Sequence, residues 1–156
     1  MIELRKISEE NFEECMSLEP HEEQKGFVAS NLKSLAQAYI ALASDSCIPM
    51  PYAIYNDSVM VGFLMLSFSD EDNTKDENRY WLCRLMIDKK HQKRGYGRES
   101  ILKVLELVRE FSYNKKAAVY LSYEPENKVA EKLYKSLGFE VTGEIEEGEI
   151  VAKIVI

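Results

Sequence analysis

The stretch from Arg79 to Phe111 constrains this chain most. It opens with a strand whose apolar run, Leu82, Leu85, Met86 and Ile87, suits the middle of a sheet, and it closes with Ile101, Leu102, Val104, Leu105 and Val108 at helical spacing. A strand that feeds a helix through a short turn requires helices laid on a sheet. The turn itself is Asp88-Lys-Lys-His-Gln-Lys-Arg-Gly-Tyr-Gly-Arg98, with five Lys or Arg against one Asp in a chain whose net charge is -7. Glycine lets a backbone approach a ligand closely, and the free N–H groups of a helix N-terminus bind phosphate, so the turn reads as a local anion site. Taken alone, Gly95-Tyr-Gly97 is equally a plain strand-to-helix turn among solvated lysines. No GxxxxGK[ST] occurs, and the dinucleotide fingerprint lacks its third glycine and its later acidic residue.

Around this segment, strand-like and helix-like periods alternate. Ile2 to Lys6 reads as a strand, and a helix capped by Ser8 is expected from Glu9 to Leu18, ending at Pro20. A second helix is expected from Ser30 to Ala43, burying Leu32, Leu35, Ala36, Tyr39 and Leu42. After Pro49 and Pro51, Tyr52 to Tyr55 and Val59 to Phe68 form a hairpin turning at Asn56-Asp-Ser58. Asp70 to Asn78 reads as a loop, Arg79 to Asp88 as the fourth strand, and Gly97 to Phe111 as a helix. Ala117 to Ser122 is a fifth strand, Asn127 to Leu137 a helix closed by Gly138, and Phe139 to Ile145 and Glu149 to Val155 a terminal hairpin. The expected fold class is α/β (α+β), a central mixed and mostly antiparallel sheet flanked by helices, in a single domain spanning 1–156.

Composition removes several function classes. Hydrophobic residues make up 46% of the chain, but no apolar stretch approaches a bilayer span, and no basic-then-apolar leader opens it, so a cytoplasmic protein without a membrane anchor is expected. Cys15, Cys47 and Cys83 are too few and too widely spaced for a disulfide framework, and His21 and His91 have no partner pattern, so no metal is expected. The acidic balance repels nucleic acid and favours cationic molecules.

Gln92-Lys-Arg-Gly-Tyr-Gly97 matches a [Q/R]-x-x-G-x-[G/A] pattern after the fourth strand. Leu121-Ser-Tyr-Glu-Pro-Glu-Asn127, Ala130-Glu-Lys-Leu-Tyr134 and Leu137-Gly-Phe139 follow at the matching separation. In these motifs the chain resembles the GNAT (Gcn5-related) N-acetyltransferases, whose shared acyl-CoA N-acyltransferase fold agrees with the element order. Trp81-Leu-Cys-Arg-Leu-Met-Ile-Asp88 and Tyr120-Leu-Ser122 further resemble the spermine/spermidine (diamine) acetyltransferase branch.

That resemblance implies acetyl-CoA as co-substrate. Backbone groups of Leu85, Met86 and Ile87 would pair with the pantetheine arm, and Gln92, Lys93, Arg94, Gly95, Tyr96, Gly97 and Arg98 would form the pyrophosphate site. Asn127 would hydrogen-bond the cofactor or acceptor near the thioester, or serve only as a helix N-cap. Lys135 would meet the nucleotide phosphates, or be a solvated lysine. Tyr134 would be the general acid that protonates the leaving thiolate, its alternative being a core aromatic. Where some diamine acetyltransferases carry an acidic residue on the fourth strand, this chain has Cys83, a nucleophile or a buried structural thiol.

The acceptor is expected to be a small-molecule amine. Glu22 and Glu23, beside Glu19, suit a polyamine, with Asp70, Glu71 and Asp72 as a second acidic group; solvated loop charges are the competing reading. An amino acid, an aminoglycoside or a protein amine is the alternative acceptor, a non-catalytic CoA sensor or another phosphate-binding module the alternative function, and a homodimer the expected assembly.

Overall fold

The computed structural model describes residues 1–70, 73, 77–113 and 115–156. Its strands are β1 (Ile2–Lys6), β2 (Ile48–Asn56), β3 (Val59–Phe68), β4 (Glu77–Ile87), β5 (Lys116–Tyr123), β6 (Glu140–Glu146) and β7 (Glu149–Val155); its helices are α1 (Phe12–Ser17), α2 (Asn31–Ala43), α3 (Tyr96–Phe111) and α4 (Lys128–Ser136). The strands form one unbroken seven-stranded sheet in the order β1-β2-β3-β4-β5-β7-β6, with β4 at its centre as its apolar run requires. Only β4 and β5 pair in parallel; every other neighbouring pair is antiparallel.

Side-chain alternation divides the sheet into two packed faces. On one, Leu64, Leu66, Leu82, Val119 and Leu121 meet the apolar stripe Ile101, Val104, Leu105 and Val108 of α3. On the other, Phe63, Met65, Met86 and Ala53 meet Cys15 of α1 and Ala38 of α2. Gly62 allows β3 and β4 to lie this close, since a Cβ there would stand 2.4 Å from the Met86 carbonyl oxygen.

Four expectations need correction. The first helix starts at Phe12 instead of Glu9, because Asn11 accepts the Ser8 N–H and donates to the Lys6 carbonyl, a side-chain loop that takes residues 9–11 out of the helix. The second helix buries Asn31, Ser34 and Ala38, while Leu32, Leu42 and Tyr39 face outward, Tyr39 being 70% exposed. Small residues there let α2 approach the sheet, and the expected apolar face lies a third of a turn away. Pro49 and Pro51 lie inside β2 instead of breaking it, because β1 covers only Tyr52 to Asn56 and both prolines fall where β2 is an edge. The fourth strand begins at Glu77, so the expected loop is shorter; its residues 71, 72 and 74–76, including Glu71 and Asp72 of the second acidic group, lie outside the described residues.

Candidate functional site

The central parallel pair does not run the length of its strands. β5 pairs with β4 only from Glu77↔Lys116 to Trp81↔Tyr120, whereas β3 stays paired with β4 through Gly62↔Ile87. Beyond Trp81, the β5-facing edge of β4, which includes Leu85, Met86 and Ile87, has no strand partner among the described residues. A register irregularity opposite Met65 and Leu66, where Arg84 and Leu82 are the partners, puts Cys83 in a bulge at the start of this open edge. The result is a slot between two diverging strands, lined on one side by unpaired backbone.

The basic turn closes one end of the slot. Gly95 caps α3 with φ 84°, and Lys93 also takes a left-handed φ of 62°. No side chain caps this helix, so its first N–H groups, in Tyr96, Gly97 and Arg98, remain available to an anion. Gln92 turns inward: its Nε2 donates to the Ile87 carbonyl, and it exchanges hydrogen bonds with Gln24. Asp88, 5% exposed, accepts the N–H groups of Glu19 and Lys90. These contacts shape the turn from beneath. Arg98 Nη1 donates to Ser136 Oγ and so ties α3 to α4, and Arg94 donates to the Lys90 carbonyl.

Tyr134 lies half-buried on α4, with its ring 5.8 Å from both Tyr123, the last residue of β5, and Phe139. Burial first, then the charges of Glu149 and Tyr123, push its hydroxyl up to about 12, so it is protonated at any ordinary pH. Asn127 caps α4 by accepting the Ala130 N–H on Oδ1. Lys135 is joined to Glu131, which raises its ammonium and holds the Glu131 carboxyl low together with Lys128. The Cys83 thiol is raised by burial and hydrogen-bonded with Ser67 at 3.2 Å, the environment of a thiol and not of a thiolate.

Glu22 and Glu23 lie on a single turn of 3-10 helix, Glu22–Gln24, beside the basic turn. The Glu22 side chain is 86% exposed and paired with Lys25. Glu19 bridges Lys89 and Lys25, and hydrogen bonds from them, Lys89 first, hold its carboxyl below the usual range. A cleft of about 280 Å³ between this segment, the end of α1 and the start of α2 reaches Met86 on β4. The sequence reading missed Gln24 and the pair formed by Ser122 and Glu149, whose hydrogen bond crosses from β5 to β7. Strand alternation along the terminal hairpin would have put Glu149 on the Ser122 face, but not opposite it.

Residues 3–139 match the family model described as "Acetyltransferase (GNAT) family". The chain is 26% identical over 146 residues to a probable spermine N(1)-acetyltransferase of Bacillus subtilis subsp. natto (strain BEST195), covering 93% of this chain and 91% of that one. It is 25% identical over the same length to the spermine/spermidine N(1)-acetyltransferase of Bacillus subtilis (strain 168), with the same coverage. Among solved structures, the PaiA N-acetyltransferase of Thermoplasma acidophilum in complex with coenzyme A superposes with a TM-score of 0.70 at 16% identity, covering 98% of each chain. The spermidine N-acetyltransferase of Vibrio cholerae in complex with CoA and spermine superposes with a TM-score of 0.67 at 18% identity, over 99% of this chain and 94% of that one.

Proposed function

The chain belongs to the acetyltransferase (GNAT) family and is an acetyl-coenzyme A-dependent N-acetyltransferase, and we propose that its acceptor is a polyamine, acetylated by direct attack in a ternary complex. One observation carries the reading: β4 loses its β5 partner beyond Trp81, and this open edge leads into the basic turn whose Gly95 starts the uncapped α3.

The residues present suit such a co-substrate. The uncapped α3 terminus with Lys93, Arg94 and Arg98 would hold a pyrophosphate, and the unpaired backbone of Leu85 to Ile87 would hydrogen-bond amides of an extended arm as a neighbouring strand would. Gln92 and Asp88 keep the turn in shape through the Ile87 carbonyl and the Lys90 N–H. Tyr134, neutral at physiological pH, would give its proton to sulfur as the C–S bond breaks. Asn127 Nδ2 would orient the reacting groups from the start of α4.

The polyamine assignment rests on the spermine and spermidine enzymes among the relatives and on the chain's net charge of -7, which raises the local concentration of polycations. Glu22 and Glu23, both exposed on the 3-10 turn, would contribute as solvated charges. Calorimetry with acetyl-CoA, ATP and NAD, followed by release of free coenzyme A with spermine, spermidine, an amino acid, an aminoglycoside and a short peptide, tests this reading. Acetyl-CoA alone should bind, and spermine or spermidine should turn over fastest, with a KM that rises with salt. A neutral monoamine that reacts equally well would remove the polyamine assignment.

A further inference from the structure

The reaction needs a group that takes a proton from the acceptor ammonium, and the fourth-strand position where such an acid could stand is the protonated, Ser67-bonded Cys83. We infer that Ser122 and Glu149 supply this step together: Ser122 Oγ contacts the incoming ammonium, and Glu149 is the base that receives the proton through it. The inference rests on the transferase reading of the site.

Placement carries the argument. Ser122 follows the last β4–β5 rung by two residues, so it stands where the strands have parted. Ala117, Val119, Leu121 and Tyr123 pack toward α3, which turns Ser122 to the opposite face, where Trp81 and Tyr120 stack at 5.3 Å. Tyr123, the next residue, touches the Tyr134 ring from the other face. The two hydroxyls, Ser122 and Tyr134, therefore flank the end of β5 from its two faces; in the relay, Ser122 meets the acceptor and Tyr134 the leaving sulfur. Ser122 is in register with Val151 on β7, and Glu149, two residues earlier on the same face, accepts the Ser122 O–H at 2.5 Å. Among the hairpin glutamates 140, 144, 146, 147 and 149, only Glu149 is partly buried. Its charge is also felt at Tyr134, so the two groups share one poorly screened region. The other ionisable groups around it are Glu146 opposite on β6, Lys153 four residues along its own strand over the Tyr120 ring, and Tyr123 on β5.

The step balances. An ammonium N–H bonds to Ser122 Oγ; its proton moves to that oxygen while the serine's own proton moves to Glu149. The freed lone pair forms the N–C bond to the acetyl carbon, the C–S electron pair goes to sulfur, and sulfur takes the Tyr134 proton. The nitrogen then sheds a second proton, which restores Tyr134 through solvent, and Glu149 releases the first.

The test uses the full chain with acetyl-CoA and whichever of spermine, spermidine, an amino acid, an aminoglycoside or a peptide the wild type acetylates fastest. Glu149→Gln and Ser122→Ala should each lower kcat roughly a hundredfold, with KM and acetyl-CoA affinity within about twofold. The double variant should be no slower than either single one, since both remove one relay. The acid limb of the kcat–pH profile, which reports the base losing its charge, should vanish in Glu149→Gln and persist in Tyr134→Phe. Wild-type turnover in Glu149→Gln, additive losses in the double variant, or an unchanged acid limb overturns the relay. Should either variant melt early, Glu149→Asp and Ser122→Thr, which keep carboxylate and hydroxyl, must turn over faster than their Gln and Ala counterparts at a temperature where all are folded; equal rates also overturn it. If the wild type acetylates none of the five amines, the transferase reading falls and takes the relay with it, an outcome distinct from an active wild type whose Glu149→Gln variant is equally active.

Discussion

Tyr134 and Cys83 show how position decides the chemistry of one side chain. Burial favours the neutral form of each. For Tyr134 a retained proton suits the proposed mechanism, in which the hydroxyl donates. Tyr134→Phe keeps the ring contacts with Tyr123 and Phe139 and removes the proton, so kcat should fall roughly a hundredfold while acetyl-CoA affinity and Tm stay near wild type. With its ionisation near 12, the wild-type rate should show no alkaline limb from Tyr134 below about pH 11; a limb near pH 9 that disappears in the Phe variant would show another environment for this hydroxyl. For Cys83 the retained proton excludes a useful nucleophile, because only the thiolate attacks. Cys83→Ala should keep turnover within about twofold, and mass spectrometry of the wild type with acetyl-CoA should find no acetylated Cys83.

At the scale of elements, two glycines set the slot by different physical means. Gly95 begins α3 in a left-handed conformation, and a side chain added there would meet only Glu99 Oε1, at 3.9 Å. Gly95→Val therefore acts through backbone strain of about 1–3 kcal/mol instead of a clash. Loss of the turn's shape should weaken acetyl-CoA binding at least tenfold, about 1.4 kcal/mol, by calorimetry. Unchanged affinity would mean that the pyrophosphate lies elsewhere. Gly62 acts through space: Ala there would push against the Met86 carbonyl on the strand whose other edge is open. Overpacking of this kind costs about 1–3 kcal/mol, so Gly62→Ala should lower Tm by roughly 3–10 °C and reduce acetyl-CoA affinity as well, because the displaced β4 backbone forms the slot wall.

For the whole molecule, buried protonated groups set the alkaline limit of stability. Cys15, 0% exposed between α1, α2 and the sheet, is pushed from 9.0 up to about 12 by burial and then by Glu14. Between those values the unfolded chain loses a proton that the folded chain keeps, so stability falls as pH rises. Tyr134 adds the same sign from pH 10 upward. Each pH unit above 9 should lower Tm by roughly 3 °C, the scale of one fully buried group in a domain of this size, and Cys15→Ala should flatten that slope in melts from pH 8 to 11. Much of this architecture was legible in the sequence. The apolar run of β4, the stripe of α3, the Gly95-Tyr-Gly97 turn and the α4 motif ending at Gly138 are local patterns, and they carried the element order, the family and the basic turn. Other features depend on where separated segments meet. The apolar periodicity of α2 pointed to the wrong face because small Asn31, Ser34 and Ala38 let the helix approach the sheet, which no helical period reveals. Gln92 exchanges hydrogen bonds with Gln24, 68 positions away, a contact that no local pattern announces. Ser122 and Glu149 lie 27 residues apart and meet only because β7 inserts between β5 and β6. Hydrophobic spacing and turn chemistry are properties of neighbours in the chain, so the sequence determined which elements form and where the basic turn lies; which side chains share a hydrogen bond is a property of neighbours in space, and the order of strands in the sheet decided it.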